Sequence, residues 1–196
     1  MPVQNSPPGD TAPSLPSGWS EDVLRFWFSE LRPEDWFRGS AELDARIRAR
    51  FGPMHEALQA SPLLPSTLDA RSLLAAVIVF DQFSRNLFRK SVAAYATDAR
   101  ALELARYAVA TGMDRALKEQ ERYFLYMPFM HSEDRAAQAE SVRLFTELGS
   151  ADGAKWARHH QGIVERFGRF PHRNALFGRA STPEELEFLR TEPAFG

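Results

Sequence analysis

"LLAAVIVF", residues 73–80, is apolar at every position, and whether it forms a helix or a strand decides the fold. Eight such residues suit a buried strand as well as a buried helix. The rest of the chain offers no second strand to pair with it, and the apolar pattern extends through Leu68 and Leu73 at helical spacing. The stretch therefore reads as a helix. Being apolar on all sides, it belongs at the centre of the fold.

Around it the period is helical almost throughout. Val23, Trp27 and Leu31, flanked by Leu24 and Phe28, make an apolar face behind Ser20, a candidate N-cap. Leu43, Ile47, Phe51, Met54 and Leu58 make another, broken by "SPLLP". A helix over 98–110 stops at Gly112, and one over 118–130 must end or kink near Pro128. Ser132 caps a predicted helix over 133–148, which Gly149 closes before another at 151–167. In "STPEELEFLR", Thr182 as N-cap, Pro183 at the first helical position and Glu185 three residues after the cap make a capping box.

The expected architecture is an all-α domain of about eight helices over residues 19–196. Residues 1–18, with five prolines and little apolar surface, read as a disordered or draped tail. The pairs 98–110 with 118–130, and 133–148 with 151–167, look like antiparallel helix hairpins in a tetratricopeptide-like array. No clean 34-residue repeat accompanies them, so the likeness is architectural.

Composition narrows the chemistry. The chain has no cysteine, which removes disulfides, thiolate metal sites and cysteine nucleophiles together. A net charge of −2 gives no overall attraction to nucleic acid or anionic membrane. No apolar run approaches the roughly 20 residues of a membrane helix, and the first residues lack a secretory pattern, so the expected location is cytoplasmic.

Three polar stretches stand out. In "VFDQFSRNLFR", residues 79–89, Asp81 and Gln82 fall where the most buried helix is expected to end, so Asp81 needs a cationic partner. Arg85 can supply it locally, Arg169 or Arg173 from a distance. In "PFMHSED", residues 128–134, His131 is expected just before a helix start, with Ser132 and Glu133 in its first turn. An imidazole there can handle protons or bind an anion. "RFGRFPHRNALFGRAST" carries Arg169, His172, Arg173 and Asn174 on a turn enforced by Pro171 and anchored by phenylalanines. Lys155 to Arg179 holds six basic residues against one acidic, a local net of +5. Arginine's planar fork suits a carboxylate or phosphate.

These stretches, with "VLRFWF" at 23–28, resemble the bacterial family catalogued as domain of unknown function 924, over about Val23 to Leu189. The resemblance implies an all-helical, tetratricopeptide-like fold and no established activity. The family pattern near 80–86 runs Leu-Asp-Gln-Phe-Pro-Arg-Asn. This chain has Phe80 and Ser84 in place of the Leu and Pro, a change expected to loosen the turn.

The leading functional expectation is a pocket for a small anionic or carboxylate-bearing ligand, formed by Asp81, Gln82, Arg85, Asn86, Arg169, Arg173 and Asn174. The alternative is an acid/base enzyme of hydrolase or lyase type at the same place, with His131, Glu133 and His172 as candidate catalytic groups. A third is a peptide- or RNA-binding module, disfavoured for RNA by the slightly acidic total charge. No cofactor is assigned. No metal site is assigned either, because adjacent His159 and His160 point about 100° apart on a helix and nothing in the spacing gathers His131, His160, His172 and Glu133.

Overall fold

The computed structural model describes residues 15–192. The predicted tail therefore lies outside the described residues except for 15–18, where Leu15 packs against the core and the Pro16 carbonyl accepts a hydrogen bond from the Trp19 N–H.

The regular structure of the described residues is entirely helical, with no strand. The helices are α1 (Trp19–Arg25), running on as a π-helical turn Phe26–Glu30; α2 (Pro33–Phe37); α3 (Ala41–Ala60); and α4 (Ala70–Val77). A π-helical segment Ile78–Phe83 joins α4 to α5 (Ser84–Leu87) in one rod. A 3-10 turn Val92–Tyr95 leads to α6 (Asp98–Thr111), α7 (Glu119–His131), α8 (Arg135–Glu147) and α9 (Ala151–Phe167). Another 3-10 turn, Pro171–Arg173, precedes α10 (Pro183–Thr191). None of these helices is long and apolar enough to cross a membrane.

The rod beginning with α4 is central, as its uniform apolarity requires. Every residue from Leu73 to Phe80 is 0% exposed. Helices α1, α6 and α7 pack on α4, while α3, α6 and α7 pack on the π segment, so no side of the rod faces water between residues 73 and 84. The Phe83 ring, at the end of that segment, meets Phe51 at 4.8 Å, Trp27 at 5.6 Å and Phe26 at 5.9 Å. Burial of this kind, at roughly 25 cal/mol per Å² of apolar surface, is what holds the domain together.

Consecutive helices α6 and α7, and α8 and α9, pack together across short connections. Between α8 and α9, Ser150 caps the second helix by accepting the Gly153 N–H at 3.2 Å. Gly153 is required there: a Cβ on it would stand 2.5 Å from the Phe145 ring. The capping box of α10 forms as expected, with Thr182 Oγ1 accepting the Glu185 N–H and Glu185 accepting the Thr182 N–H.

Several local expectations are corrected. The most buried helix does not end at Asp81 and Gln82; the π segment carries it to Leu87, which places Asp81 inside the rod. No turn exists near Ser84 to be loosened. Its buried hydroxyl instead bonds His55 Nε2 and Thr97 Oγ1, each at 2.8 Å. Gly18, in the left-handed conformation at φ 72°, precedes α1, so Ser20 is within the helix and not its cap. His131 is the last residue of α7, and Ser132 ends that helix. The cap of α8 is Asp134, whose carboxylate accepts the Ala137 N–H at 2.7 Å, and Glu133 lies in the connection. Pro128 is accommodated within α7, which ends three residues later.

Truncating Phe83 to Ala removes a fully enclosed ring and should cost about 3–5 kcal/mol in equilibrium urea unfolding. Leu186→Ala, on the exposed face of α10, should stay within about 0.5 kcal/mol. Equal losses for the two would contradict this placement of the core.

Candidate functional site

The site is built around Asp81, fully buried in the π segment. His131 Nδ1 reaches across from the end of α7 to both carboxylate oxygens, at 2.8 and 2.9 Å. An ionised carboxylate can only accept, so Nδ1 carries the proton. His131 Nε2 makes no hydrogen bond to the other described residues. Gln82 Nε2 donates to Asp81 Oδ2 at 2.6 Å. One turn on, Arg85 places Nη1 3.5 Å from Asp81 Oδ1 and also bonds the Asp81 carbonyl. The same guanidinium makes a two-pronged pair with Asp98, at the start of α6, at 3.0 and 3.2 Å.

Arg173 completes the cluster from the 3-10 turn Pro171–Arg173. Its guanidinium carbon lies 4.7 Å from the Tyr95 ring centre and 4.6 Å from that of Phe170. The Tyr95 ring also carries Arg85, at 5.5 Å. Arg173 Nη2 donates to the His131 carbonyl at 2.9 Å, the negative end of α7. Arg173 is only 8% exposed, its Nε has no hydrogen-bond partner, and no described carboxylate lies within 4 Å of it. It is a buried cation held by rings and one carbonyl.

The electrostatics follow from this packing. Burial opposes ionisation of Asp81, but Arg85 and His131 outweigh it and hold the carboxyl well below the usual range. Asp98 is pushed up, by burial above all. Arg173 is pushed down by burial and then by the charge of Arg85, with Asp98, Tyr95 and Glu133 acting in the opposite sense from a distance. Burial drives His160 down to about 3 and His172 to about 4, so both rings near Arg173 are neutral at neutral pH.

The three predicted stretches thus meet, though with a different division of labour. Asp81, Gln82, Arg85, His131 and Arg173 converge. The distant partner of Asp81 is His131, not Arg169 or Arg173. Arg169 instead forks onto Glu185 at 2.6 and 2.9 Å, joined there by Asn174 Nδ2 at 3.2 Å. Asn86 and Arg89 hold Asp44 in the same way, at 2.7 to 2.8 Å. Arg169 with Asn174, and Arg89 with Asn86, therefore serve as structural clasps, each closing on a carboxylate from another helix. Glu133 is likewise engaged, accepting the Phe170 N–H and two bonds from Arg179. The His172 ring lies against Phe170, tilted with centroids 5.6 Å apart, rather than beside Asp81. Among the described residues, no three His, Asp or Glu side chains are disposed to hold a metal ion.

Sequence reasoning missed Tyr95 and Asp98. A lone tyrosine in "AAYATD" and an acidic residue opening a helix are ordinary features, and only the approach of α6 to the π segment gives them a role.

A family model described as "Bacterial protein of unknown function (DUF924)" matches residues 23–193. Among solved structures, a protein of unknown function from Agrobacterium tumefaciens, ATU0120, is 39% identical. It superposes with a TM-score of 0.84, over 90% of this chain and 99% of that one. No curated protein matches the chain.

The depressed histidines set an acid limit. Their folded forms stay neutral below pH 6.5 while the unfolded chain takes up protons, so stability is full above about 6.5 and falls as pH drops toward 4 and then 3. Urea unfolding between pH 7 and pH 4 should show that decline, and His160→Gln should flatten it. A flat wild-type profile over this window would contradict the burial of both rings.

Proposed function

The chain belongs to the bacterial DUF924 family, and we propose that it binds a small anionic ligand, carboxylate or phosphate, where Arg85, His131 and Arg173 meet. The observation that carries this is Arg173. Taking a guanidinium out of water costs several kcal/mol unless an anion and hydrogen bonds compensate. The half-buried arginines nearby have such compensation: Arg85 has Asp98 and Asp81, Arg169 has Glu185, and Arg179 has Glu133. Arg173 has two rings and a carbonyl. An incoming anion would supply the direct partner that Asp98 and Glu133, acting only from a distance, do not, with Arg85 beside it and His131 Nε2 within the same cluster. The successive packing of α6 on α7 and α8 on α9 supports a tetratricopeptide-like scaffold for the site.

Acid–base catalysis at this place has its own support in the Asp81–His131 pair. A buried carboxylate fixing Nδ1 leaves Nε2 as the atom that exchanges protons, the geometry that orients a catalytic imidazole. Turnover of any bound acid would then depend on His131 and Asp81. A site that only binds would keep its ligand and show no bell-shaped rate profile.

Thermal melting against carboxylates and phosphates tests binding directly. A ligand at 100 times its Kd adds about 2.7 kcal/mol, or roughly 5–10 °C for a domain of this size. Arg173→Ala should abolish the shift in a variant whose circular dichroism stays helical. No shift from any anion, or an equal shift in Arg173→Ala, would overturn the assignment. Where turnover of a bound acid is found, His131→Gln should lower it by about 10²–10⁴ while ligand still binds.

A further inference from the structure

The surroundings of Arg173 narrow the ligand beyond its charge, on the premise that an anion binds there. The Tyr95 ring that covers Arg173 at 4.7 Å also touches the Phe177 ring, with centroids 5.5 Å apart. Phe177 is 42% exposed, and Leu176 beside it is 36% exposed. Val92 is 45% exposed and stands three residues before Tyr95 in the same 3-10 turn. In that helix type, side chains at i and i+3 eclipse, so Val92 and Tyr95 share a face. Arg179 lies over the Phe177 ring at 5.0 Å while its fork is engaged by Glu133.

Single exposed apolar side chains are unremarkable. Here two separate segments, 92–95 and 176–177, carry exposed apolar side chains and meet at the Tyr95–Phe177 ring contact, beside a buried guanidinium that no described carboxylate pairs directly. A polar body, such as that of a sugar phosphate, would lose its own hydration against those rings. An apolar body would cover them. We infer that the ligand is a small monocarboxylic acid with an aliphatic or aromatic body, its carboxylate at Arg173 and its body on the Val92, Tyr95, Leu176 and Phe177 surface.

The test is isothermal titration of the full chain with acetate, hexanoate, phenylacetate and inorganic phosphate. Each methylene that leaves water tightens binding by about fourfold, so hexanoate should bind at least tenfold more tightly than acetate. Phenylacetate should exceed acetate likewise, and phosphate should not match hexanoate. Phe177→Ala, on an exposed ring whose loss leaves the core intact, should weaken hexanoate severalfold more than it weakens acetate. Phe177→Leu should restore part of the difference. Equal affinities for acetate and hexanoate, or a ratio unchanged in Phe177→Ala, would overturn the apolar-body assignment while leaving an anion site in place. Binding of phosphate alone would do the same. Absence of binding by all four would remove the anion site and this inference with it.

Discussion

One buried carboxylate organises much of this protein. Asp81 sits in the middle of the most enclosed helix, where an unpaired charge would cost more than the domain could spare. Its neutralisation recruits His131 from the end of α7 and Arg85 from the next turn of its own rod. Arg85 in turn fixes Asp98 at the start of α6, and the carbonyl of His131 takes up Arg173. A single desolvated group thereby ties the centre of the fold to α6, α7 and the turn after α9. The π segment makes this possible. Its wider i→i+5 turn lets the rod continue to Leu87 while a polar pair, Asp81 and Gln82, is set among apolar neighbours.

The other charged contacts divide by what they enclose. Asp44, Glu133 and Glu185 are each gripped by arginine, helped by asparagine or by a backbone N–H, and each clasp joins elements distant in sequence. Each of those arginines is paired with a carboxylate, although Arg179 Nε, like Arg173 Nε, has no hydrogen-bond partner. The Asp81 cluster differs in holding Arg173, a buried guanidinium that no described carboxylate pairs directly, beside His131.

The fold was largely legible because its signals are local and repeated. The spacing of Leu43, Ile47, Phe51, Met54 and Leu58 survives as one buried face of α3, and Thr182, Pro183 and Glu185 form the capping box their order demands. Helix boundaries were less so. Ser132 and Asp134 are both competent caps, and the sequence cannot rank them; geometry gives α8 to Asp134 and leaves Ser132 to bond the Asp134 N–H. The π segment was illegible for a similar reason. Its residues look like any apolar helix followed by polar ones, and its hydrogen-bond shift has no compositional mark.

For the site, sequence alone determined that Asp81 must find a cation, because the run before it is too apolar to be anywhere but the core. It also determined that a basic, aromatic-anchored turn follows α9. Which cation meets which carboxylate was decided only in three dimensions. Arginine's long side chain reaches several candidates from one backbone position, and desolvation selects among them according to how the helices close. So Arg169 and Asn174 went to Glu185, Asn86 to Asp44, and His131 to Asp81, while Arg173 was enclosed between Tyr95 and Phe170 without a carboxylate. Apolar periodicity is fixed along the chain; the pairing of buried charges exists only once the helices have packed.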